Sequence, residues 1–233
     1  MSIEITWLGH STVQVELQSG EVILIDPWLE NPSFPEGFEL KRVDLMLLTH
    51  GHFDHIASAV EIAKKFSPHV VANYEIVQWL GTQGVEKATG MNKGGSLDVL
   101  GCRVTMTHAQ HSSSIEVEGG TVYGGEAAGF VVKTPNGRTF YHAGDTNVFS
   151  DMALIARLYQ PTLAMLPIGD LLTMDPKEAA VACEFLKPKQ VLPLHYGTFP
   201  ALTGSPEELA DLVDAAGMQI DVLAAPPGDA FDW

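Results

Sequence analysis

Positive charge is scarce in this sequence. Thirteen Lys and Arg stand against 29 Asp and Glu, giving a formal net charge of −16 over 233 residues. A chain so balanced does not bind nucleic acid by neutralising phosphates with basic side chains, so no nucleic-acid partner is expected. Cysteine is nearly absent. Cys102 and Cys183 can form at most one bridge, which excludes a disulfide scaffold and fits a reducing cytoplasm. No run of about 18 uninterrupted apolar residues occurs, so no integral membrane segment is expected. The first ten residues lack both the basic and the apolar stretch of a secretory leader, and a cytoplasmic location is the expectation. Fixed-period repeats, low-complexity tracts and domain linkers are also missing. What is present is 45% apolar and 18% charged residues, enough to bury a core as one domain over residues 1–233.

The first third reads as short strands. Residues 3–8, 12–17 and 22–26 carry β-branched side chains in partial alternation, broken by Gly9, Ser19-Gly20 and Pro27. Residues 43–49 are almost continuously apolar, as in a strand covered on both faces. A helix is expected over 56–66, a strand over 70–72 and a helix over 74–80. Two glycine-rich stretches, 81–95 and 116–129, are expected to be loops. Between them lies a strand at 103–108, and the Pro135-Asn136-Gly137 turn predicts a hairpin joining 129–134 to 138–142. Helices then alternate with strands: 151–159, 163–166, 176–185, 190–194, 206–216 and 219–223. The fold class expected is layered α/β.

The chemistry concentrates in Thr49-His50-Gly51-His52-Phe53-Asp54-His55, where a buried strand meets a helix. Three imidazoles and a carboxylate in six residues make a poor apolar core and a good ligand set for a metal ion. A coincidental cluster in a chain with nine histidines is the bland alternative, and the strand-to-helix position weighs against it. In extended backbone, residues i and i+2 share a face, so His50 and His52 can converge on one cation while Asp54 and His55 reach a second. Further candidates follow later strands: His111, Asp145 and His195, each beside glycine or small polar residues, where α/β proteins build their sites. Spacing alone does not select them.

The ordered set His50, His52, Asp54, His55, His111, Asp145 and His195 resembles the metal-ligand series of the metallo-β-lactamase superfamily. The resemblance runs over nearly the whole chain. More narrowly, Trp7-Leu8-Gly9-His10-Ser11, Ile25-Asp26-Pro27-Trp28, Met91-Asn92-Lys93-Gly94-Gly95, His108-Ala109-Gln110-His111-Ser112-Ser113 and Leu166-Pro167-Ile168-Gly169 resemble a prokaryotic group of metal-dependent hydrolases. That group is similar to bacterial ascorbate-phosphate lactonases and to N-acylphosphatidylethanolamine phospholipase D. The resemblance implies a four-layer αββα sandwich and two divalent ions. His50, His52 and His111 would hold one, Asp54, His55 and His195 the other, with Asp145 bridging. Hydrolytic members usually carry zinc, with manganese, nickel or iron in some. The redox branch has Glu where this chain has His52, which counts against oxygen chemistry.

Two such ions share a water whose pKa falls toward neutrality, and the resulting bridging hydroxide attacks a phosphoryl or carbonyl centre. The expected activity is therefore hydrolysis of a small phosphodiester, lactone or ester, with Asp54 as a catalytic residue that also orients the nucleophile. The alternative class is a metal-dependent binding or sensor module without efficient turnover. Asp26 either caps a turn before Pro27 or orients the histidine loop, and the two are compatible. His10 is expected to line the pocket or to satisfy a backbone carbonyl, and Tyr196 to meet substrate or simply to pack. Trp28 is a candidate wall of the entrance. His108 and His142 are read as buttresses, His69 as a bystander, and both cysteines as small core residues. Lys93 and Arg103 are the few mid-chain cations that could meet a substrate anion.

Overall fold

The computed structural model describes residues 2–233. The chain forms two compact units. Among the described residues, the first comprises 2–92, 112–127 and 225–233, and the second 93–111 and 128–224.

The first unit is built on a seven-stranded sheet that follows the order of the sequence except at one edge, where the last strand of the chain returns. Antiparallel β1 (Glu4–Trp7), β2 (Val13–Glu16) and β3 (Val22–Ile25) run on into parallel β4 (Leu45–Leu47), β5 (His69–Asn73) and β6 (Ala88–Met91). Near the chain end, β16 (Ala230–Asp232) returns to pair antiparallel with β1. The apolar runs of β3 and β4 are fully buried, as the continuous Val-Ile-Leu-Ile and Leu-Met-Leu patterns require. Helices α1 (Phe53–Ile56), α2 (Ala59–Phe66) and α3 (Tyr74–Thr82) belong to this unit. Ile56, Ile62, Ile76 and Leu80 join Leu24, Met46 and Val70 in one buried cluster. Asn73 caps α3, its side chain accepting from the Ile76 amide.

The helix expected over 56–66 is thus two helices, broken at residues 57–58. The Ser58 hydroxyl accepts from the Leu29 amide and the Ser58 amide donates to the Pro27 carbonyl, so this residue ties the break to the loop after β3. Two stretches read as loops contain strands. β6 lies within 81–95, and the ribbon of β9 (Ser114–Val117) and β10 (Gly120–Tyr123) overlaps 116–129. Glycine marked the turns correctly there, but the strands between them are too short and too exposed to show an apolar period. β16 was not foreseen for the same reason.

The second unit carries its own seven-stranded sheet. β7 (Ser96–Val99), β8 (Cys102–His108), β11 (Ala128–Lys133) and β12 (Thr139–His142) are antiparallel neighbours, with the expected hairpin joining the last two. β13 (Leu163–Pro167), β14 (Gln190–Leu194) and β15 (Asp221–Val222) then add in parallel. Helices α4 (Met152–Tyr159), α5 (Pro176–Leu186) and α6 (Pro206–Ala215) complete it. Tyr141, Leu166, Val191, Met152, Cys183 and Leu209 share its buried cluster. Both cysteines are buried and unbridged, and burial pushes the Cys183 thiol up to about 12. No described helix is long and apolar enough to cross a membrane.

In α5 the Asp175 carboxylate accepts from the Glu178 amide at 2.7 Å and Pro176 occupies the first turn, where its missing N–H costs nothing. Asp175→Ala should lower stability by about 1 kcal/mol. Urea unfolding should show an earlier midpoint with unchanged slope.

Candidate metal centre

In the first unit the site begins with Asp26, wholly buried at the end of β3 in the left-handed region (φ 47°). Its Oδ1 accepts from the Thr49 amide at 2.8 Å. Its Oδ2 accepts from the Thr49 hydroxyl at 2.6 Å and lies 2.8 Å from His55 Nδ1. A buried carboxylate so surrounded takes donors only, so His55 carries its proton on Nδ1 and its lone pair on Nε2. The Thr49 hydroxyl spends its single proton on Asp26. It therefore accepts from His50 Nδ1, 3.0 Å away, and leaves the His50 lone pair on Nε2 as well. One carboxylate thus sets the tautomer of two histidines, one of them through a threonine.

Those two lone pairs meet further candidate ligands. His50 Nε2 lies 3.0 Å from His52 Nδ1, with the rings nearly perpendicular at 80°. Two ligands bonded to one cation at roughly 2.0–2.1 Å stand about this far apart, so the pair fits a shared divalent ion. His55 Nε2 faces Asp54 Oδ2 at 3.9 Å. Asp54 lies in α1 and is nine-tenths buried or more, and its Oδ2 is 2.9 Å from His10 Nε2. Beyond them, His52 Nε2 meets the Ser112 hydroxyl at 3.4 Å, and the Gly51 amide donates to the Ser113 hydroxyl. The histidine loop is thereby tied to residues 112–113 of the same unit.

The second unit gathers His111, Asp145 and His195 where β8, β12 and β14 end. Asp145 Oδ2 lies 3.0 Å from His195 Nε2 and 3.7 Å from His111 Nε2, and it is almost fully buried. One carboxylate oxygen between two imidazole nitrogens is the donor set a divalent cation takes. Backbone ties hold the three loops. Gln110 N donates to the Thr146 hydroxyl, Met174 N to the Thr146 carbonyl, and Ile168 N to the Leu194 carbonyl. His195 is left-handed (φ 57°), and a Cβ at Gly169 would stand 2.0 Å from its carbonyl oxygen, so only glycine allows that approach.

The remaining expectations sort readily. The Asp26 carboxylate bonds Thr49 and His55 of the histidine loop. His10 is wholly buried with Nε2 on Asp54, and Trp28, also buried, sets its ring against His10 and Phe53. Tyr196 packs half-buried on the core of the second unit, which pushes its phenol up to about 12, with Glu207 adding to the rise. His142 is buried and accepts from the Gly144 amide, whereas His108 is exposed beside Lys93 and the Phe149 ring. His69 bonds Thr89 in the sheet, and burial lowers its pKa. Arg103 is paired with Asp98 on the surface. Thr49 was missed as a functional residue. Its one sequence signal is a hydroxyl at the inner end of an apolar strand, immediately before the first histidine.

Two seven-stranded sheets, each with its own helices, and carboxylate–imidazole clusters at strand ends define the metallo-β-lactamase fold. The pattern of the beta-lactamase superfamily domain matches residues 21–196. The chain is 53% identical over 232 residues to a UPF0173 metal-dependent hydrolase of Solibacter usitatus, covering 99% of this chain and 100% of that protein. For a UPF0173 metal-dependent hydrolase of Koribacter versatilis the identity is 52% over 231 residues, covering 98% and 97%. Igni18, a metallo hydrolase from the hyperthermophilic archaeon Ignicoccus hospitalis, aligns in structure with a TM-score of 0.88 at 34% identity, covering 100% of both chains. The chain therefore belongs to the metallo-β-lactamase superfamily and, within it, to the UPF0173 family of metal-dependent hydrolases.

Because Thr49 hands the Asp26 constraint on to His50, Thr49→Val, which keeps the shape and removes the hydroxyl, should weaken zinc binding about 10- to 100-fold. Thr49→Ser should restore it. Competition against a chromophoric chelator checks both.

Proposed function

We propose that this protein is a dinuclear metal-dependent hydrolase acting on a small phosphodiester, lactone or ester, and that residues 1–233 work as one cytoplasmic domain. His50, His52 and His111 would hold one ion and Asp54, His55 and His195 the other, with Asp145 between them. Zinc is the first expectation, ahead of manganese, nickel or iron. Two such ions, when bound, lower the pKa of a water toward neutrality and polarise the substrate oxygen.

The observation that carries this reading is the fixing of His50 and His55 by the Asp26–Thr49 network. Buried imidazoles whose lone pairs are oriented in advance serve a cation, whereas histidines used only for packing need no such control. The protein's own part in turnover is mostly orientation. Asp54, as ligand and catalytic residue, would accept a hydrogen bond from the attacking water and aim its lone pair at the phosphoryl or carbonyl centre. The surplus of acidic residues favours a compact substrate over a long polyanion. Tyr196, with its phenol pushed up to about 12, stays protonated at neutral pH and is a donor there.

Purified protein should hydrolyse bis(p-nitrophenyl) phosphate or a simple lactone in the presence of zinc or manganese and stop when chelator is added. Asp54→Ala should lower turnover at least a hundredfold while leaving the circular dichroism spectrum unchanged. Wild-type rates from that variant would refute the role of Asp54. Tight binding of both substrate panels without turnover would replace the enzyme by a binding module.

A further inference from the structure

The loop carrying His10 is held in a conformation that its sequence does not favour. His10 is left-handed (φ 51°) directly after Gly9, itself at φ 88°. Left-handed backbone in a residue other than glycine is strained and persists only where the surroundings over-determine it. Here they do. Trp7 Nε1 donates to the His10 carbonyl at 2.9 Å, the Thr12 amide to the Gly9 carbonyl at 3.0 Å, and Asn31 Nδ2 to the Leu8 carbonyl at 3.1 Å. A Cβ on Gly9 would stand 2.4 Å from Asn31 Oδ1, so the turn admits no other residue there. The Trp28 ring meets the His10 ring edge-on, with centroids 5.2 Å apart. All this turns a wholly buried imidazole inward, and its Nε2 ends 2.9 Å from Asp54 Oδ2.

Asp54 Oδ2 can accept a hydrogen bond at that distance, and the Nε2–H of His10 is the donor the geometry offers. The carboxylate is the acceptor, so His10 presents Nε2–H, and a protonated ring nitrogen is not a metal ligand. We propose that His10 is a positioning residue, which orients the Asp54 carboxylate by an Nε2–H hydrogen bond and so fixes the lone pair that Asp54 offers to a divalent cation shared with His55. The strain at His10 is then the cost of aiming one donor. Without it the carboxylate can rotate away from His55 Nε2, 3.9 Å distant.

This inference rests on the reading of Asp54 as a ligand, and the test separates the two. Zinc stoichiometry and affinity are measured by chelator competition on wild type, Asp54→Asn, His10→Phe and His10→Gln, beginning from stripped protein. Wild-type zinc binding in Asp54→Asn overturns the reading of Asp54 and the inference with it. If Asp54→Asn is impaired, His10→Phe, which keeps the ring and loses the donor, should bind the second zinc about 10- to 100-fold more weakly. His10→Gln, which keeps an N–H at similar reach, should stay within about threefold of wild type. Cobalt-substituted His10→Gln should also keep the wild-type visible spectrum, since no ligand has changed. Undiminished zinc affinity in His10→Phe, or loss of a whole equivalent with an altered cobalt spectrum in His10→Gln, overturns the inference. In the second case His10 is itself a ligand. Should His10→Phe fail to fold, His10→Gln decides alone by the same two readouts.

Discussion

The Asp26 carboxylate is the constraint on which the first unit's site depends. It sits wholly buried, and it accepts from a backbone amide, a hydroxyl and an imidazole. An anion removed from water is tolerated only when its oxygens are met by donors, and each of these donors belongs to the segment that begins at Thr49. Satisfying the charge and placing the histidines are therefore one event. Remove the carboxylate and the loop loses its anchor; remove the loop and the carboxylate is left buried without its donors, at a cost of several kcal/mol. The sheet supplies the geometry for this exchange, because β3 and β4 are parallel neighbours that end side by side, and the Asp26 amide also donates to the Leu47 carbonyl.

Strain follows function along the chain. Among the described residues, His10, Asp26 and His195 are three of the nine other than glycine with positive φ, and all three belong to the proposed centre or touch it. Left-handed backbone at such positions costs about 1–3 kcal/mol each, which rigid surroundings must offset. Asp26 follows the fully buried β3, His195 follows the four buried residues that end β14, and His10 sits in a turn pinned by two side-chain donors. The flanking elements are apolar and regular, so the irregular backbone is confined to single residues whose side chains carry the chemistry. Several of the other six stand where packing or capping explains them. Ser67, Gln160 and Lys187, for instance, close helices in the usual left-handed way.

How much of this could be read beforehand divides along physical lines. The helix–strand alternation of the second unit was legible because buried parallel strands are continuous apolar runs and because Asp175-Pro176 and Ser205-Pro206 announce helix starts. The histidine cluster at 50–55 was legible because so many imidazoles in six residues have no apolar purpose. The exposed β9–β10 ribbon and β16 were not, since their strands bury too little to leave a periodic mark. Nor was Thr49, whose role arises from proton counting across three side chains. The His10–Asp54 contact joins residues 44 positions apart, and nothing in either motif names the other. Sequence patterning reports local burial, and the pairing of buried polar groups is a tertiary fact.

The same proton counting bears on the buried polar groups within each unit. Neutral imidazoles do not balance carboxylates, and Asp26, Asp54 and Asp145 are each more than nine-tenths buried in a chain that already carries a net charge of −16. Hydrogen bonds meet both oxygens of Asp26, and His10 Nε2 meets Asp54 Oδ2. Asp145 Oδ2 stands 3.7 Å from His111 Nε2 and 3.0 Å from His195 Nε2, and a cation shared with them would offset its charge. A fold that buries anions and keeps its imidazoles neutral is incomplete in charge, and a divalent cation completes it without a proton. Oriented lone pairs and buried carboxylates are thus one arrangement seen from two sides: each is unfavourable in itself, and a bound cation would offset both.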